Sequence, residues 1–365
     1  MAETKNNKNP LGIPQTRGSF QLGGFVTGTG RNEFYTEKNT QNNKPRRSVN
    51  FAVQFDEDAK HYVQLSGMEQ KSVFFSGPID EATKKRKTVE VPWRERNTFE
   101  KEGYSMIGVR VGLETRMDEK GNEKTDTKTM HAFDACEYVS QHMKDNMPVY
   151  VRGNLTYSTY NDKHYKSFEV NQISASSRTY DFADEKFEPV CDFTQRIIYM
   201  GIRTDEDHPD RWLLSGKVVG YNSVEDVEFP VVDKRIAVAF RKGLKTYNAI
   251  DIYGHISVSK NEEEATENEN GLYFGAGNKM KKNSSTVIEL ICDGAEIETL
   301  DTDEYNENNV DEAIRKAKSI ANAKKDFGNK EEESDDPIAK NFGSGAKIKP
   351  SDDPLNDFDF DEEDL

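Results

Sequence analysis

Alternation of apolar and polar residues is the main pattern in this chain. It begins after sixteen polar residues, Asn- and Lys-rich and without periodicity, which are expected to form a disordered arm over 1–16. Ser19 to Thr27 predicts a strand bent at Gly23 and Gly24. Arg47 to Phe55 places Val49, Phe51, Val53 and Phe55 on one face and Ser48, Asn50, Ala52 and Gln54 on the other. That period of two marks a half-buried strand. His61 to Leu65 follows across a short acidic turn as its hairpin partner. Residues 69–129 are less regular and form an insertion. It holds the basic run Lys84, Lys85, Arg86 and Lys87, then Trp93 among charges, a strand from Ser105 to Leu113, and a charged loop from Asp118 to Lys128. Ala132 to Lys144 has helical spacing and is followed by Pro148. Val149 to Tyr160 and Tyr165 to Ile173 then predict a hairpin around Asn161, Asp162 and Lys163.

Three strands, an insertion, a helix and a final hairpin follow the order of the oligonucleotide-binding (OB) barrel, a five-stranded Greek key with a helix between strands three and four. The fold class expected is therefore mainly β, with a first OB domain over 17–180 carrying an insertion at 69–129. A fainter second copy is expected over 181–300. Trp212 to Tyr221 supplies its first strand and Val227 to Val232 its second, with Pro230 at an edge. Lys234 to Lys242 is its helix, Asn248 to Val258 its fourth strand, with a glycine matching that of the first unit, and Thr286 to Cys292 its fifth. Residues 181–204 are left as a linker with one extra strand. Residues 301–330 form a helical segment, and 331–365 an acidic tail too poor in apolar groups to repay the entropy of ordering.

The net charge of −16 argues against a nucleic-acid partner until its distribution is considered. Residues 301–365 hold 20 Asp/Glu against 9 Lys/Arg, whereas 17–180 hold 22 Asp/Glu against 25 Lys/Arg. The acid is concentrated in the tail, and a mildly basic domain with clustered cations can bind phosphates. No apolar run is long enough to span a bilayer and no signal-peptide segment is evident, so a cytoplasmic location is expected. Cys136, Cys191 and Cys292 lie too far apart for a CxxC motif and are expected as buried thiols.

Phe133 to Ile173, FDACEYVSQHMKDNMPVYVRGNLTYSTYNDKHYKSFEVNQI, resembles the second half of bacterial and phage single-stranded DNA-binding proteins, and Gly18 to Met68 is similar to their first three strands. The match covers about 17–178 apart from the insertion, and a phage or prophage member from Gram-positive bacteria is the narrower resemblance. It implies sequence-independent binding of single-stranded DNA during replication or recombination, with partner proteins recruited through the acidic C-terminus. That C-terminus ends in DEEDL rather than the family's Pro-Phe tip.

Single-strand binding needs cations for phosphates and aromatic faces for bases. The candidates are Arg46 and Arg47 entering the second strand; Lys84, Lys85, Arg86 and Lys87; Trp93 with Arg94 and Arg96; and Arg152, Tyr160, Lys163, Tyr165 and Lys166 on the last hairpin. Alternation places Tyr157 in the core. Phe358, Phe360 and Leu365 are the candidate anchors of the tail for replication or recombination proteins. There is no GxxxxGK[ST], HExxH, GxSxG or Cys/His metal spacing, so neither enzyme activity nor a cofactor is expected. The competing readings are a structural or protein–protein adaptor built on the same barrels, and an RNA-binding protein.

Overall fold

The computed structural model describes residues 9–40, 43–117, 123–160, 163–178, 180–184, 186–206, 208–262 and 284–330. The expected acidic tail, with Phe358, Phe360 and Leu365, lies outside them. The chain is mainly β. Its first part comprises β1 (Gly18–Thr27), β2 (Tyr35–Asn39), β3 (Pro45–Gln54) and β4 (Lys60–Met68). Next come β5 (Ser72–Ile79), β6 (Arg86–Pro92), β7 (Ser105–Met106), β8 (Val109–Met117) and β9 (Glu123–Met130). Helix α1 (Ala132–His142), β10 (Pro148–Tyr160) and β11 (Lys163–Ala175) complete the unit.

Strand pairing closes β1, β3, β4, β11 and β10 into a ring. All its neighbours are antiparallel except β4 and β11, which meet in parallel at Gln64 and Glu169. This is the topology of a five-stranded OB barrel. Val49, Phe51 and Val53 of β3 are fully buried inside it, as the period of two requires. Phe20, Leu22, Val151, Phe168 and Ile173 join them from the other strands. Helix α1 plugs one end through Ala135, Cys136 and Val139. Its N-cap is His131, whose ring nitrogen accepts from the Phe133 amide at 3.2 Å.

The insertion makes two structures. Strands β5, β6 and β7 form a separate small sheet with its own core of Val73, Phe75 and Val91. Strands β8 and β9 form a hairpin, and β8 also runs parallel to β11, so the place of the barrel's third strand is shared by β4 and β8. The loop expected over Asp118 to Lys128 is thus partly strand β9, and residues 118–122 are not described. Strand β9 is polar up to its last residue, Met130, so no apolar period reveals it.

A second unit repeats the topology with β12 (Val190–Thr204), β13 (Trp212–Val219), β14 (Val224–Val231), α2 (Lys234–Gly243), β15 (Ala249–Glu262) and β16 (Ser284–Asp301). The strands pair in the order β14-β13-β12-β15-β16. The sequence assignment was therefore displaced by one strand. Strand β12, expected as an extra element, is the barrel's first strand, and Trp212 to Val219 is its second. The displacement has a packing cause. Ile197, Ile198 and Tyr199 are all buried, with Ile198 in a different apolar cluster from its two neighbours, and this double burial erases the alternation.

Strands β1 and β12 pair antiparallel, from Gly18 opposite Gln195 to Gly23 opposite Val190, and join the two units into one continuous sheet. Helix α3 (Glu307–Lys330) follows. Leu11 and Ile13 pack with Val310 and Ala313 of α3 and with Ile198 and Val219. The Thr16 amide donates to Val219 O at 3.0 Å, and the Val219 amide donates to Thr16 Oγ1 at 2.8 Å. Residues 9–16 are therefore a packed segment, against the disordered arm expected over 1–16, of which 1–8 lie outside the described residues. Two isolated apolar residues have no period, so the sequence does not announce this contact.

Candidate nucleic-acid interface

An OB barrel presents oligonucleotides to the outer face of its second and third strands and to the loops joining strands 1–2 and 4–5. In the first barrel those strands are β3 and β4. Their outward residues pair as Arg46 with Met68, Ser48 with Ser66, Asn50 with Gln64 and Gln54 with Lys60, while Tyr62 stands opposite Ala52, which is buried rather than on the polar face its alternation predicted. The Arg46 guanidinium donates to Ser66 Oγ at 3.5 Å, and the Arg31 guanidinium, from the 1–2 connection, lies 5.0 Å from the centre of the Tyr62 ring. The polar row continues from Gln64 to Glu169 and Asn154. Burial raises the Glu169 carboxyl above its usual range, against the pull of its Thr156 hydrogen bond and of Arg46. Arg152 is exposed on β10, opposite Gln21. Among the described residues, Arg46, Lys60 and Arg152 have no carboxylate ion-pair partner.

The sequence candidates divide in the structure. Arg47 points toward α1 and is neutralised, with Glu37 at 3.0 Å, Glu137 at 2.7 Å and the Phe133 ring beneath it at 4.0 Å. Arg96 donates to both carboxylate oxygens of Asp134 at 2.8 Å and lies 3.9 Å from the centre of the Trp93 ring. The Trp93 ring also meets His131 and Phe133 edge-on, so Trp93 and Arg96 staple the insertion to the start of α1. Such a half-buried, bidentate pair leaves little charge for a ligand. Arg94, in the single 3-10 turn Trp93–Glu95, is exposed.

Lys84, Lys85, Arg86 and Lys87 lie at the turn between β5 and β6 and its exit into β6, all exposed. Lys84 adopts φ 54°, and backbone hydrogen bonds from the Lys84 amide to Asp80 O and from the Asp80 amide to Lys85 O, each 2.8 Å, fix the turn. Only Lys87 has a carboxylate near, Asp80 at 3.7 Å, among the described residues. Tyr160 and Lys163 pair at the end of the β10–β11 ladder, and their side chains are outside the described set.

Tyr165 and Lys166 turn toward the second barrel. Tyr165 lines a cleft between the units, and the Lys166 ammonium donates to Ile288 O at 3.2 Å. Burial pulls Lys166 below the usual lysine range, with Glu289 opposing. Inside the same end of the first barrel His61 is buried, 4.0 Å from the Phe168 ring, and neither of its nitrogens has a hydrogen-bond partner among the described residues.

The second barrel offers a different surface. Residues 181–300 hold 23 Asp/Glu against 14 Lys/Arg. On its equivalent face Lys217 pairs with Asp226 at 2.5 Å and Arg203 with Glu228 at 3.1 Å. The β10–β11 hairpin lies against that face, with Thr159 Oγ1 donating to Glu225 at 2.5 Å. Phosphates are therefore better served by the first barrel.

A family model described as YorF matches residues 79–327, more than half of the chain. The chain belongs to the YorF family. A search of curated protein sequences returns no match. Among solved structures, the wild-type single-stranded DNA binding protein from Thermus aquaticus is similar at 10% identity, covering 67% of this chain and 85% of that one with a TM-score of 0.31. A deletion mutant of the same protein is similar at 9% identity, covering 67% and 88%, with a TM-score of 0.32.

Sequence reasoning missed four residues of this YorF-family chain that share the β3–β4 face or flank it: Arg31, Lys60, Tyr62 and Gln64. A signal was available for two of them, because Tyr62 and Gln64 alternate with the buried Val63 and Leu65. Among the described residues no His, Cys, Asp or Glu group could hold a metal, and no helix is long and apolar enough to cross a membrane. Cys136, Cys191 and Cys292 are buried free thiols that burial pushes up to about 12, 11 and 12.

Proposed function

We propose that this YorF-family chain binds single-stranded DNA without sequence specificity, across the outer face of β3 and β4 and along the basic β5–β6 turn. One observation carries the reading. In the first barrel the cations on and beside the nucleic-acid face, Arg46, Lys60, Arg152, Lys84, Lys85 and Arg86, have no ion pair to a described carboxylate, whereas the second barrel's face is paired and covered. Exposed cations bind phosphates by releasing counterions, and Tyr62 with polar neighbours suits bases turned out of a stack. Such binding would protect a single strand during replication or recombination. The tail, with Phe358, Phe360 and Leu365 among acids, would recruit the proteins of those processes.

The adaptor reading has one supporting observation: Phe74 and Ile107 lie side by side and exposed on the insertion sheet, joined by the Ile107 amide donating to Phe74 O at 2.8 Å. Fluorescence anisotropy with oligo-dT, duplex DNA and matched RNA separates the readings. Sub-micromolar binding to the single DNA strand alone is expected. Equal RNA affinity moves the function to RNA, and absence of binding to all three leaves the adaptor.

A further inference from the structure

The β10–β11 hairpin and the outer face of β13 and β14 enclose a cleft of about 510 Å³. Small-molecule sites fall within roughly 300–1,000 Å³, so it can hold a base with its sugar. The 4–5 hairpin of one barrel faces the strand 2–3 surface of the other, and both are the elements with which OB barrels hold oligonucleotides.

The apolar part of the lining comes from Met200, Gly216, Val227 and the edge of the core residue Phe229, with Tyr165 beside them. Two hydroxyls at its edge, Tyr157 Oη and Ser158 Oγ, are buried with no hydrogen-bond partner among the described residues. Burial raises the Tyr157 phenol far above its usual range, so it remains a donor at every physiological pH. Across from them Glu225 uses one oxygen on Thr159 and Asp226 one on Lys217, which leaves Glu225 Oε1 and Asp226 Oδ2 as acceptors. The cleft lining therefore gathers two buried hydroxyls without a partner among the described residues and carboxylate oxygens that these hydrogen bonds leave open, beside apolar residues.

Charge selects the ligand. Glu225, Asp226 and Glu228 are offset by Lys166, Lys217 and Arg203, so the surroundings are near neutral, yet a phosphate entering would meet carboxylates first. A neutral, flat group carrying both donors and acceptors satisfies every part of the lining. We propose that the cleft is a subsite for one unstacked nucleobase of the bound strand, with preference for a base bearing an exocyclic amine. An amine donates to the carboxylate oxygens, while ring nitrogens and carbonyls accept from Tyr157 and Ser158. The inference rests on the single-strand reading and adds to it one position at which base identity matters.

The test compares oligo-dC with oligo-dT of equal length by anisotropy, for the wild-type chain and for Ser215→Trp, which fills the cleft. A second variant, Glu225→Thr with Asp226→Thr, removes the acceptors and keeps strand-forming residues. The ratio of dC to dT affinity is expected to fall about tenfold in both variants, the scale of one base contact, with the salt dependence of oligo-dT binding unchanged in Ser215→Trp, which alters no charge. A strand carrying one 5-iodocytosine should crosslink to Tyr157 or Tyr165 on irradiation. An unchanged ratio in both variants, or crosslinks confined to the β3–β4 face, overturns the subsite and leaves the single-strand reading standing. Absence of binding to either strand instead overturns that reading.

Discussion

Gly254→Ala is expected to lower stability by about 3 kcal/mol or more. Gly254 sits at a bulge in β15, where the ladder with β16 shifts register between Tyr253 and Gly254. A Cβ there would overlap the backbone carbonyl of Ile291, and backbone cannot swing aside as a side chain can. Gly153 holds the matching place in the first barrel. The β10–β11 ladder shifts between Arg152 and Gly153, and a Cβ would overlap the Glu169 carbonyl and the Phe20 ring. Both fourth strands thus use a glycine bulge to let the fifth strand approach closely. Urea denaturation of Gly254→Ala and Gly153→Ala should give a clearly lowered midpoint or no folded protein. Gly30→Ala, with nothing within 4 Å of its Cβ, is the control and should stay within about 0.5 kcal/mol of wild type. Wild-type midpoints for both bulge variants would show that the strands do not approach as described.

A His61→Phe variant is expected to hold its stability in mild acid better than the wild-type chain. Burial, with the Lys166 charge nearby, lowers the His61 pKa to about 3. In the unfolded chain the imidazole has its ordinary pKa near 6.5. Between these two values the unfolded state binds a proton that the folded state refuses, so the wild type loses stability as pH falls from about 6.5 toward 3, at up to about 1.4 kcal/mol per pH unit. Above about 6.5 both states are neutral and the group has no effect. Phenylalanine keeps an aromatic ring against Phe168 and removes the titration. Thermal midpoints from pH 7 to pH 4 should therefore diverge, roughly following this linkage. Parallel profiles would mean that His61 is hydrated or partnered in solution.

The first barrel was legible because its strands bury one face each, so Val49, Phe51 and Val53 signal the core without any alignment. The second was displaced by one strand because β12 is covered on both sides at Ile197 and Ile198. The matching glycines of the fourth strands, visible in sequence, acquired their cause only when both proved to sit at bulges. At the interface the cations were visible but their partners were not. Arg47 is neutralised by Glu137, far along the chain, and Arg96 by Asp134 on α1, and neither distance has a local signature. Charge runs such as Lys84 to Arg86 remain available because, of the two acids in their own turn, Asp80 pairs with Lys87 and Glu81 makes no ion pair with them among the described residues.

Salt dependence tests the account most directly. Affinity for oligo-dT is to be measured against salt concentration for the wild-type chain and for a variant with Arg46→Ala, Lys84→Ala, Lys85→Ala and Arg86→Ala. Each phosphate contact on a single strand contributes about 0.7 to the slope of log affinity against log salt. The account predicts weaker binding and a slope shallower by about 2 to 3 in the variant. Identical affinity and slope in the two proteins would contradict it.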